Sequence, residues 1–142
     1  MSEPDRSFFG EAGWAVTDAV LLTVEVWPYR HYITSSRAEF SVAKEQYWLP
    51  RTGWFSDRSA CYLAAGKPVI MQDTGFGDVL PTGRGLFPFS DLDGAVAAVK
   101  AVEADYGNQS RVAREIAREH FAAERVLAAL MDDVGLASSH HH

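Results

Sequence analysis

Apolar residues recur every three to four positions in the last third of the chain and condense into short unbroken runs in its middle. Leu92, Val96, Val99, Val102 and Tyr106 predict an amphipathic helix, opened by Ser90 and Asp93 as a capping-box-like pair with Asp in place of the usual Glu. A second helix is expected from about Gln109 through Phe121, burying Val112, Ile116 and Phe121. A third is expected from about Ala123 to Gly135, burying Val126, Leu127, Leu130 and Val134. Pro68-Val69-Ile70-Met71 is different: a continuous apolar run between Gly66 and Asp73-Thr74-Gly75, as expected of a strand buried on both faces in a parallel sheet. Gly83-Arg84-Gly85 turns into Leu86-Phe87, a further short strand.

The first half is less regular. Trp14-Ala15-Val16 and Val20 to Val24 supply apolar, partly β-branched runs and predict one short strand there. Pro28 fits the first turn of a short helix through Tyr29, Arg30 and Tyr32, and Ile33-Thr34-Ser35 reads as a brief strand. Ser41 to Trp48 predicts a helix ending before Pro50. Ser56 predicts the cap of another helix, through Ala65, stopped by Gly66. The order favours an α/β fold in which helices flank a small parallel sheet. About four strands are expected, fewer than the five or six common in open doubly wound sheets, which predicts part of a larger assembly. Residues 1–12 are expected to be disordered, residues 13–136 to form the domain, and residues 137–142, ending in three histidines, to be a tag-like tail.

Composition narrows the functional classes. Of 142 residues, 47% are hydrophobic and 23% charged, which suits one domain with a real core. A formal net charge of −6 opposes broad nucleic-acid binding, so any phosphate contact is expected to be local. Cys61, the single cysteine, excludes a disulfide framework or thiolate zinc site, and its apolar neighbours predict a buried thiol. No metal site is expected from His31 and His120. No apolar run approaches the roughly 20 residues of a membrane span, and a cytoplasmic location is expected.

Candidate chemistry gathers between Arg51 and Phe76. A helix starting at Ser56 offers unpaired amides and a dipole suited to a phosphate, with Arg58 adding a planar donor fork and Ser59 a hydroxyl. Taken alone, the same residues read first as a cap, a solvated arginine and a turn at Gly53. Trp48 and Trp54 offer flat faces to a nucleobase, or to core packing.

The order "SSRAEFSVAKEQY", "RTGWFSDRSACYLAAGKPVIMQDTGF" and "LPTGRGLFPF", within Gly13 to Leu136, resembles the C-terminal, donor-binding half of bacterial GT-B glycosyltransferases of the family 1 and family 4 type. The resemblance implies a Rossmann-like domain that binds a nucleotide diphosphate sugar for hexosyl transfer without a metal or other cofactor. It assigns Thr52, Gly53, Ser56, Arg58 and Ser59 to the diphosphate, and Glu39, Gln72, Asp73 and Thr74 to the sugar. Glu39 matches the first acid of the two-glutamate motif of retaining members, whereas Cys61 stands at the second, so no catalytic residue is assigned. The resemblance also implies an N-terminal acceptor half as a separate partner, or a homodimer, and little transfer by this chain alone. A noncatalytic α/β module that self-associates or binds a protein is the competing expectation, and a phosphate-binding sensor a third.

Overall fold

A computed structural model describes residues 3–135; the tag-like tail lies outside the described residues. These divide between Tyr32 and Ile33 into two units. The first holds helices α1 (Glu3–Glu11) and α2 (Ala19–Thr23) and the start of α3 (Val26–Ser35). The strand expected at Val20–Val24 is a helix: Asp18 caps it, its carboxylate accepting from the Val20 amide at 2.9 Å. A strand needs a neighbour to receive its amides, whereas a helix satisfies them within the segment. Pro28 lies in the first turn of α3 as expected, but Ile33, Thr34 and Ser35 complete that helix and form no strand.

The second unit contains β1 (Glu39–Ser41), α4 (Glu45–Trp48), α5 (Asp57–Ala64), β2 (Val69–Gln72), β3 (Leu86–Phe89), α6 (Leu92–Ala104), α7 (Tyr106–His120) and α8 (Ala123–Asp133). It is α/β: three parallel strands in the order β1-β2-β3, flanked by helices. Val69, Ile70 and Met71 are buried, as the apolar run requires of a central strand. β1 is the unexpected strand, pairing Glu39 with Val69 and Ser41 with Met71. The helix expected from Ser41 begins only at Glu45, because Ser41 belongs to the sheet.

Two layers cover the sheet. On one face Ile70 and Phe87 pack with Ala98 and Val102 of α6. Towards the other, the buried Ser59 of α5 donates to the sulfur of Met71, and α5 packs on α7. Helix α6 follows only part of the expected stripe: Val102 is buried and Tyr106 packs against the same cluster as expected, but Ala95 and Ala98 face inward while Leu92, Val96 and Val99 are exposed. The bulky Ile70, Phe87 and Phe89 fill the space opposite the middle of α6, where the small Ala98 fits between them and Val102. Its cap is Asp91, one residue after Ser90, accepting from the Gly94 amide at 2.8 Å.

Asp105 separates α6 from α7 and starts the latter three residues earlier than expected. Helix α7 buries Ile116 as expected, together with Gln109, Ala113 and Ala117; Val112 and Phe121 are only half-buried. Gln109 accepts from the Gly85 amide at 2.8 Å, and the Ser110 hydroxyl donates to the Gly66 carbonyl at 2.6 Å. Helix α8 has the expected span but not the expected burial: Val126, Leu127, Leu130 and Val134 are all exposed. Among the described residues, no helix is long and apolar enough to cross a membrane.

Candidate functional site at the carboxyl end of the sheet

Strand β2 leads into Asp73, Thr74 and a left-handed Gly75, φ +93°. The segment before α5 runs alongside: the Gly53 amide donates to the Thr74 carbonyl at 2.7 Å, and the Thr74 hydroxyl to the Trp54 carbonyl at 2.6 Å. These two bonds set the start of α5 beside the carboxyl end of β2, where open parallel sheets place their ligands. The structure thus brings the Thr52–Ser59 stretch and Gln72–Thr74 together, although Ser59 and Thr74 are completely buried and present no surface to an incoming group.

Arg58 ties this corner to β1. Its Nε donates to Glu39 Oε1 at 2.7 Å and its Nη2 to the Ser41 hydroxyl at 3.0 Å. Glu39 and Ser41 are two residues apart on one strand, so both face the α5 side. The carboxylate is nearly sealed, with Glu39 5% exposed, whereas the Arg58 side chain remains 47% exposed. Glu39 Oε2 is buried and has no hydrogen-bond partner. A cation half in water above a buried, partly satisfied carboxylate is held in position without being enclosed.

The helix start is less open than the sequence suggests. Ser56 has the extended cap backbone, φ −75° and ψ 138°, but its side chain caps no amide and is buried. Asp57 takes that part instead, accepting from the Arg58 amide at 2.8 Å and, more loosely, from the Ser56 hydroxyl at 3.4 Å. Thr52 donates to the Tyr47 carbonyl at 3.2 Å and accepts from the Trp54 amide at 3.3 Å. Gln72, half-buried, accepts from the Ala43 amide at 3.2 Å.

Arg51 was not singled out by sequence reasoning. It adopts φ +51°, unusual for a residue other than glycine, and its Nη1 donates to Asp73 Oδ2 at 2.7 Å. Burial pushes the Asp73 carboxyl up, but the hydrogen bonds from Arg51 and the Gly75 amide together outweigh it and hold the group below its ordinary value. The available signal was an arginine next to the Thr52-Gly53 turn. Tyr47 and Trp54 stack face to face, 4.6 Å between centroids, on the same segment.

No protein-family model, curated protein or solved structure matches the chain. The functional reading therefore rests on this corner and its chemistry. It contains two arginine–carboxylate pairs, Arg58–Glu39 and Arg51–Asp73, each with the arginine more exposed than the acid. Such pairs present positive charge outward while the acids fix its position, an arrangement suited to a small anion.

Proposed function

We propose that this chain is the donor-binding part of a glycosyltransferase, taking a nucleotide diphosphate sugar for hexosyl transfer in the cytoplasm. The observation that carries the proposal is the half-exposed Arg58 guanidinium, in the first turn of α5 near the carboxyl end of β2 and held along edge strand β1 by the buried Glu39 and Ser41. On this reading Arg58 meets the diphosphate and offsets the charge that grows on it as the glycosidic bond breaks. Gly53 lets the donor approach the backbone, Thr52 borders it, and Gln72 and Asp73 meet sugar hydroxyls, while the buried Glu39 and Ser56 act only through Arg58 and Asp57. Ser59 and Thr74, both buried, support this surface from below. The acceptor site belongs to an N-terminal half, and without it these residues bind donor weakly and transfer little or nothing.

Calorimetry with UDP, GDP and TDP, on the parent and on Arg58→Ala, tests the reading. The parent binds at least one of them, and the variant loses about 1.5–3 kcal/mol, the usual worth of a hydrogen bond to a charged group. No binding of any nucleotide at millimolar concentration would sink the assignment. A second reading, a noncatalytic interaction module, is favoured by the exposed apolar face of α8. Self-association without nucleotide binding would support it instead.

A further inference from the structure

Helices α5 and α7 leave a groove of about 440 Å³ between them, lined by Ala60, Cys61 and Ala64 of α5, by Ala117 of α7, and by Phe121 and Ala122 at the turn into α8. Small residues on both helices open this space. Arg114 and Arg118, one turn apart on α7, complete its wall with positive charge.

Helix α8 offers a complementary shape. It has 11 residues and buries none of them. Isolated helices shorter than about 12–15 residues are marginal in water, and their stability in proteins comes from packing an amphipathic face. Val126, Leu127, Leu130, Met131 and Val134 form such a face, each between 43% and 57% exposed. At 3.6 residues per turn, Glu124 and Asp133 fall on the two borders of that face. The apolar stripe matches the alanine lining, and its acidic borders match Arg114 and Arg118.

The helix does not enter the groove of its own chain. Phe121, at the junction between α7 and α8, is stacked on Phe55 with centroids 5.4 Å apart and planes at 10°. That ring contact fixes the junction beside the groove, and no α8 residue lines it.

We propose that two copies of this chain pair by reciprocal exchange, the α8 of each lying in the α5–α7 groove of the other. The same two surfaces then meet twice around a twofold axis, so the contact closes at a dimer. The proposal is independent of the donor-binding reading, which is decided by nucleotide titration.

Light scattering of the intact chain gives twice the 15.7 kDa chain mass. Leu127→Glu combined with Leu130→Glu places two charges in the contact at exposed positions and halves the mass, while the near-ultraviolet dichroism of the aromatic residues, none of which lies in α8, shows the remaining fold in place. Cys61, exposed on α5 rather than buried as its apolar neighbours predicted, lines the groove and supplies a positional test because it is the chain's single cysteine. Mild oxidation of Leu130→Cys joins the introduced thiol to Cys61 of the other copy, seen as a dimer on a nonreducing gel and as a mixed peptide after digestion. A parent chain that stays monomeric at every concentration overturns the proposal. So does a double variant that keeps the dimer mass, a disulfide formed within one chain, or a dimer linked only through the two introduced cysteines.

Discussion

Glycine is decisive at two residues for different reasons. Gly85 has φ +70°, and a Cβ there would stand 2.5 Å from the Ala113 backbone nitrogen, which cannot move without shifting α7. Gly66 also has φ +70°, but its Cβ would meet the tip of Arg114, a flexible side chain. Gly85→Ala therefore costs about 2–4 kcal/mol, left-handed strain plus a backbone clash, whereas Gly66→Ala costs about 1 kcal/mol. Urea midpoints of the two variants separate these values. Asp73 yields a pH prediction. Its folded carboxyl lies below the unfolded value of about 3.9, so it contributes stability above that value, and the contribution is lost as pH falls through the folded value. Asp73→Asn should lower the midpoint at neutral pH and flatten its fall towards about pH 3; an acid limb as steep as the parent's would contradict the Arg51–Asp73 pairing.

Among the elements, α6 shows how far a hydrophobic period can mislead. Leu92, Val96 and Val99 have the spacing of a core stripe, yet the sheet takes Ala95, Ala98 and Val102. Period identifies a helix and its amphipathicity, but alanine ranks low on any hydrophobic count while fitting best against large neighbours. Ala98→Leu should cost about 1–3 kcal/mol by overpacking against Ile70 and Phe87, and Val99→Ala should stay within about 0.5 kcal/mol. Thermal melts of both variants decide which face is the core, and the opposite ranking would reverse the assignment. Helix stops were more legible than starts: Gly66 ends α5 as expected, whereas α6 is capped by Asp91 instead of Ser90 and α7 begins after Asp105 instead of near Gln109. Those signals act through the nearest backbone amides and need no tertiary partner.

Across the molecule, the open questions concern surfaces that the second unit leaves uncovered. Its sheet has three strands and its last helix an unused apolar face, so both the donor reading and the dimer proposal assign a partner to it. The two make separable demands. Nucleotide binding depends on Arg58 in the first turn of α5, and pairing on Leu127 and Leu130 of α8. Arg58→Ala should leave the mass of the assembly unchanged while weakening nucleotide binding, and the α8 double variant should do the reverse.

By itself the sequence determined the central strand β2, its glycine punctuation, the parallel α/β class and the presence of the last three helices. Each of these follows from a local period or from a run buried on both faces. Strand β1 was decided only by tertiary structure. Its inward residues are Glu39 and Ser41 while Phe40 is exposed, the inverse of the expected pattern. That inversion is tolerated because Arg58, 19 positions away, reaches back to the carboxylate. The same contact selects which of the candidate residues form the corner. A buried charge is stabilised by whatever partner the fold delivers, and no period within the strand encodes that partner.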